Sequence, residues 1–337
     1  MKKITQPLFL EPIMMERVWG GNRLAHMYGK TVPDGKIIGE SWELADRPEA
    51  QSRVRGGPFA GQNLGPLLKE HAEAILGPEL AGAKLPCFPL LIKYVDAAAA
   101  LSVQVHPDDA GAKAFNDRGK SECWVVVHAE PGARIIRGLH PGTTRGDYEQ
   151  AVSHDRVEDV LHSFTPRVGD VVALPPGMIH AIGAGLVVAE IQQNSDLTFR
   201  IFDYKRLGLD GKPRKLHVQE ALECIRFGSP GDEFSGDMNA DTVTPLSVQK
   251  SGSATTELLL KGRFFDLARH SIEPNGRMTL PALPAAGVLM AISGGGSLNQ
   301  QELRAGQTVL LASSLPQLEF SANMNGLGLI VSVPTAG

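Results

Sequence analysis

Between glycines and prolines, the chain repeats short runs in which apolar residues either alternate with polar ones or continue unbroken: PLLIKYVDA (89–97), ECWVVVHA (122–129), ARIIRG (133–138), GDVVALPPG (169–177) and GLVVAEIQQ (185–193). This rhythm predicts short β-strands of a sandwich or barrel. Helical periodicity interrupts it at 63–77, 108–117, 143–164 and 215–228. In the third of these, Thr144 stands three residues before Asp147, the spacing of a capping pair at a helix start. Residues 228–244, GSPGDEFSGDMNADTVT, lack apolar periodicity and read as a linker or boundary loop. Short strands then return in RFFDLARHSIEP, GVLMAIS, GQTVLLASS and GLGLIVSVP, which predicts a second all-β unit. Its SGGGS (293–297) is followed by neither Lys-Ser/Thr nor a helix, so it reads as a hairpin turn rather than a phosphate loop.

Two of the strand patterns carry chemistry on their polar side. In LSVQVH (101–106), Leu101, Val103 and Val105 share one face, and Ser102, Gln104 and His106 share the other. In VVAEIQQN, Val188, Glu190, Gln192 and Asn194 lie on one face, and a buried carboxylate there must be paired, protonated or near a cation. Lys93 is a polar interruption of the apolar LLIKYVD and is expected to point into the same cleft. Trp19 and Trp42 read as core aromatics, and Lys205 and Arg206 as a basic rim.

Composition narrows the classes. The 337 residues carry 33 Lys and Arg against 37 Asp and Glu, a net charge of -4, with no basic stripe interleaved with aromatics, so nucleic acid is not an expected partner. No apolar run approaches the roughly 18 residues of a membrane span. Glu11 interrupts the short apolar run of MKKITQPLFLEP, so no signal-peptide core is expected and the default address is cytoplasmic. Cys87, Cys123 and Cys224 lack CxxC spacing and are expected as buried apolar fillers. No histidine follows His270, which confines any metal chemistry to the first two-thirds of the chain.

There, GDVVALPPGMIHAIG (169–183) places Gly169, Pro175, Gly177 and His180 at the spacing of the second signature of cupin barrels. Gln104-x-His106, with Glu122 further on, stands where the first signature has His-x-His and a glutamate. With GKSE (119–122), RVWGG (17–21), IGESWELAD (38–46) and NSDLTFRIFDYKRLGLDGKPRKLHVQEAL (194–222), the text resembles type I mannose-6-phosphate isomerase in its short bacterial form. The resemblance covers most of the first 225 residues; the second β unit is similar only in a general way.

The resemblance implies a mainly β fold of two cupin-type, jelly-roll-like barrels with helical segments attached to the first. Residues 1–235 would form the metal-binding catalytic domain and 236–337 a cupin-like β domain without metal ligands. It implies one Zn2+ per chain on Gln104, His106, Glu122 and His180. Two neutral imidazoles, a neutral amide and one carboxylate would leave that site at about +1, enough to polarise a sugar carbonyl. Arg200 would act as electrophile or phosphate neutraliser, Glu190 or Lys120 as the base, and Ser102, Lys93 and Asp196 as substrate contacts. The implied reaction interconverts mannose 6-phosphate and fructose 6-phosphate through a cis-enediol, by a monomer or weak homo-oligomer whose partner is a small sugar phosphate. The rival readings are a sugar-phosphate-binding cupin without catalysis and an iron-dependent cupin oxygenase.

Overall fold

The structure, a computed structural model, describes residues 3–228 and 231–335 and is mainly β. An antiparallel sheet of six strands runs in the order Val171–Leu174, Glu122–Ala129, Leu186–Gln193, Leu90–Ala97, Ile38–Leu44 and Ile13–Gly21. A second sheet of five strands has the order Leu161–Phe164, Ile135–Leu139, His180–Ile182, Val103–Val105 and Phe199–Phe202. A third, of nine strands, gathers the strands from Ser247 onward together with Leu8–Phe9.

The alternation in the sequence decides how these sheets stack. Val95, Trp124, Val126, Val172 and Val188 of the six-stranded sheet meet Ile135 and Ile182 of the five-stranded sheet in one cluster. On the far side of the five-stranded sheet, Val103, Val105, Phe199 and Ile201 pack under Tyr148 and Ala221, contributed by the helices Arg145–Ser153 and Val218–Cys224. On the far side of the six-stranded sheet, Ile92, Tyr94, Val125, Ala189 and Ile191 share a core with Leu289, Leu310 and Ile330 of the nine-stranded sheet. Each such apolar side chain contributes roughly 1.5–3 kcal/mol by leaving water. Every residue of the strands Leu186–Gln193, Leu90–Ala97 and Ile38–Leu44 is buried, and on the inner face Lys93, Glu122 and Glu190 are each less than a tenth exposed.

Several expectations hold at the level of elements. Glu122–Ala129 spans the ECWVVVHA run, and the helix Leu64–Leu76 lies within 63–77. Thr144 and Asp147 form a reciprocal capping box at the start of Arg145–Ser153. Trp19 and Trp42 are buried, as expected of core aromatics.

Others need correction. The segment 143–164 is not one helix: after Ser153 it becomes a 3-10 turn at Val157–Val160 and then the strand Leu161–Phe164. LSVQVH is a strand only over Val103–Val105, because Ser102 lies just outside the ladder. SGGGS is no hairpin turn but part of the strand Gly287–Leu298, with register shifts at Ala291/Ser293 and Gly294/Gly296. The glycines permit this bend: Gly294 has φ +69° and sits where a Cβ would strike the backbone of Gly326. Cys123 is buried, but Cys87 and Cys224 are only half-buried. Arg206 is no loose rim charge, since it pairs with Asp203 at 2.7 Å and donates to the Ala100 carbonyl. Leu8–Phe9 pairs with Leu310 and Val309, so the N-terminal segment lies in the sheet otherwise built from residues beyond 246. The stretch 228–244 includes two residues outside the described ones and otherwise carries no helix or strand.

Candidate metal centre

The site grows out of strand register. His180 faces Gln104 on one neighbouring strand, and Gln104 faces Arg200 on the next, so their side chains leave the five-stranded sheet on its inner side. In the opposing sheet, Trp124 faces Glu190, Glu190 faces Lys93, and Lys93 faces Trp42, which makes a row across four strands. Glu122 is two residues before Trp124 and so shares that inner face. The turn before His180 is set by Gly177, whose φ of +83° favours glycine and whose N–H donates to the His106 carbonyl at 2.8 Å. The two histidines are thus tied together through backbone before any ligand is considered.

His106, Glu122 and His180 place one ligand atom each within 4.8 Å of one another, all buried. His106 donates from Nδ1 to the Leu197 carbonyl, and His180 from Nδ1 to the Met178 carbonyl, both at 2.9 Å. In each ring the Nε2 lone pair then points inward, the orientation that carbonyl acceptors impose on metal-binding imidazoles. His180 Nε2 lies 3.4 Å and His106 Nε2 3.7 Å from the Glu122 carboxylate. The Gln104 amide sits 3.4 Å from His180 Nε2, and rotation of the amide by half a turn brings its carbonyl oxygen to that point.

What makes this set unusual is what it lacks. Among the described residues, His106 Nε2 and both Glu122 carboxylate oxygens are buried without a hydrogen-bond partner. A carboxylate so placed costs several kcal/mol unless a cation compensates it. Lys120 Nζ approaches Glu122 Oε2 at 3.3 Å but leaves it short of hydrogen-bond alignment. Burial drives the Glu122 carboxyl up from its ordinary range against the pull of Lys120. Burial also pushes His106 well below 6.5, helped by Lys120 and His180, and holds His180 down to about 4. Both imidazoles are therefore neutral electron-pair donors, and the donor set of imidazole and carboxylate suits a divalent metal.

Beside the trio, Lys93 Nζ lies 3.2 Å from Glu190 Oε1 and 5.3 Å from the Trp42 ring centre, while Trp124 Nε1 donates to Glu190 Oε2 at 3.0 Å. Burial raises the Glu190 carboxyl, yet Lys93 and Lys120 outweigh it and leave the pKa lowered, so Glu190 is ionised. Asp196 reaches Lys93 only at 3.9 Å and is partly exposed. Arg200 is half-buried; its Nε donates to Ser102 Oγ at 3.2 Å and its Nη1 to the Lys215 carbonyl. The structure thus brings together Gln104, His106, Glu122, His180 and Lys120, sets Lys93, Glu190 and Asp196 beside them, and joins Ser102 to Arg200. Sequence reading had no role for Trp124. Its place two residues after Glu122 on the same strand face was the available signal, but its bond to Glu190 depends on register between distant segments.

Residues 8–120 match the family described as phosphomannose isomerase type I, catalytic domain. The chain is 32% identical over 328 residues to the mannose-6-phosphate isomerase of Streptococcus mutans, covering 95% of this chain and 97% of that one. It is 38% identical over 227 residues to ManA, a mannose-6-phosphate isomerase of Bacillus subtilis, covering 67% and 70%. Its fold superposes on the crystal structure of a mannose 6-phosphate isomerase from Bacillus subtilis with a TM-score of 0.86 at 28% identity, over 97% of this chain and 99% of that one. Near-complete coverage at this identity, together with a buried His–Glu–His trio, carries one conclusion: the chain belongs to the type I mannose-6-phosphate isomerase family.

Proposed function

We propose that the chain interconverts mannose 6-phosphate and fructose 6-phosphate, with a divalent metal, zinc by its donor set, held by Gln104, His106, Glu122 and His180. The observation that carries this is the buried pair of unpartnered Glu122 oxygens facing two imidazoles whose tautomers are fixed by backbone carbonyls. When bound, the metal supplies a positive charge that polarises the sugar's carbonyl and hydroxyl oxygens.

This chain's residues do the rest. Arg200, placed by Gln104's neighbouring strand and by its bond to Ser102, presents a guanidinium to negative charge on the substrate, whether phosphate or developing oxyanion. Lys93 keeps Glu190 ionised, and Trp124 fixes the second Glu190 oxygen, so this carboxylate is oriented to take a proton from the sugar. Lys120, 3.3 Å from Glu122, is the alternative proton carrier. In either case one proton moves between C1 and C2 on one face of an enediol, and no redox cofactor is needed.

The finer architecture belongs to the same proposal. The paired five- and six-stranded sheets read as a first cupin-type barrel within residues 1–235, and the nine-stranded sheet, apart from its strand Leu8–Phe9, as a second within 236–337 that covers the first. A cytoplasmic monomer or weak homo-oligomer acting on a free sugar phosphate is the corresponding assembly. A coupled assay tests the activity: mannose 6-phosphate should yield fructose 6-phosphate, and protein that binds the sugar phosphate without converting it would leave a binding protein instead.

A further inference from the structure

A cavity of about 930 Å³ opens beside the five-stranded sheet, with Arg137, His140, Arg145, His162, Met178 and Arg226 in its wall. Gln104, His106, Lys120, Glu122, His180, Glu190 and Arg200 do not line this space, although the turn Gly177–Met178 that positions His180 does. Its origin is a charge where the pattern calls for an apolar residue. In Ile135–Leu139, Ile135 and Arg137 share the inner face; Ile135 joins the core between the sheets, and Arg137 lies directly across the ladder from His180.

Arg137 is only 5% exposed. Its Nε donates to the Ala173 carbonyl at 3.2 Å and its Nη2 to the Met238 carbonyl at 2.9 Å, both neutral acceptors. Among the described residues no carboxylate forms an ion pair with it, and its Nη1 makes no hydrogen bond. The other arginines of the wall are compensated, Arg145 by Glu149 at 3.0 Å and Arg226 by Glu233 at 2.9 Å, while the carboxylate of Asp241, also in the wall, lies 2.7 Å from His162 Nε2. Burial lowers the Arg137 pKa, and Asp241 and Asp237 oppose this without reaching contact. A buried guanidinium without a counter-ion is costly, and its planar fork is shaped for an oxyanion.

We propose that this cavity binds a small oxyanion, the phosphate or carboxylate group of a metabolite, with Arg137 as the anchoring guanidinium and the exposed His140 and Arg145 at the mouth. The site is separate from the metal centre but shares a wall with it, since Met178 lines the cavity while its carbonyl holds the His180 ring. The proposal stands independently of the isomerase reading.

Calorimetric titration of the full-length, metal-loaded protein with inorganic phosphate and, separately, with malonate tests it in three forms: wild type, Arg137→Met, and His140→Ala with Arg145→Ala. Wild type should bind at least one of the two anions, and which one it prefers identifies the group. In Arg137→Met one binding event should weaken at least tenfold, read on protein that retains a cooperative unfolding transition. The double variant should weaken the same event severalfold and keep the KM for mannose 6-phosphate. Absence of binding by either anion overturns the proposal, as does anion binding unchanged in both variants. If Arg137→Met does not fold, the double variant decides alone: wild-type anion binding there overturns the site.

Discussion

The interior of the first 235 residues and that of the C-terminal sheet are built on different terms. In the first, Lys93, Glu122, Arg137, Glu190 and several other charged side chains are buried; beyond residue 235, the buried polar groups among the described residues are His270, Thr308 and Ser332. His270 is satisfied locally, by the Thr256 hydroxyl at 2.9 Å, and burial holds it neutral by lowering its pKa to about 4. The same antiparallel construction thus gives an interior that holds buried charges in one half and an almost wholly apolar one in the other. Burying a charge is costly unless other charges, or a metal, offset the desolvation, and among the described residues such charges gather in the first half.

If this contrast is right, the two halves should fail in different ways. The largest expected effect is Glu122→Gln, which should lower turnover by more than the ~10–100-fold typical of groups one layer behind a metal ligand, measured by the coupled assay. Next, Glu190→Gln should lower kcat by about 100–10,000-fold, the range for losing a general base, with metal content close to wild type. Lys120→Met is the counterpart, and whichever variant loses the solvent-exchange signal at C2 while binding substrate identifies the proton carrier.

In the C-terminal sheet, Leu289→Ala should cost about 2–5 kcal/mol of stability in urea unfolding and leave kcat of the folded fraction unchanged. Leu289 is fully buried in the core shared with the central sheet. A loss of kcat without loss of stability would give the C-terminal sheet a direct part in catalysis.

Glu40 tests the electrostatics of the polar half through pH. Burial raises its carboxyl, but Lys93 and Arg17 overcome this and bring it down to about 2 from 4.5. A depressed carboxylate contributes its stability above 4.5 and loses it as pH falls toward 2, a span worth roughly 3 kcal/mol. Wild type should lose that increment across this window in acid unfolding, and Glu40→Gln should show a flatter profile. The smallest effect is Thr144→Ala, expected to cost about 1 kcal/mol through the lost capping box, read as a modest fall in thermal midpoint without change in KM.

How far the site was legible in the sequence follows from what alternation can and cannot encode. Period-two patterning placed Gln104 opposite Val103 and Val105, and Glu190 opposite Ala189 and Ile191, and the structure puts the apolar members in outer cores. The Pro-Gly turn before His180 was visible because Gly177's backbone needs it. Alternation says nothing of partners, however. That Lys93 faces Glu190, or that Leu8 pairs with Leu310, depends on register between segments roughly a hundred and three hundred residues apart. The misread SGGGS has the same cause: a glycine run is compatible with a turn or with a bulged strand, and the choice is made by the neighbouring Gly326 backbone. Arg137 was hidden in ARIIRG, where a single charge in an apolar strand looks like a strand end until the structure shows what surrounds it.

The central claim is that the buried His106, Glu122 and His180 side chains hold a metal, and metal content tests it most directly. Elemental analysis of purified wild type after dialysis should find one divalent ion per chain, and Glu122→Gln, folded as judged by its unfolding transition, should retain little or none. Full occupancy in Glu122→Gln, or metal-free wild type with undiminished turnover, would contradict the account.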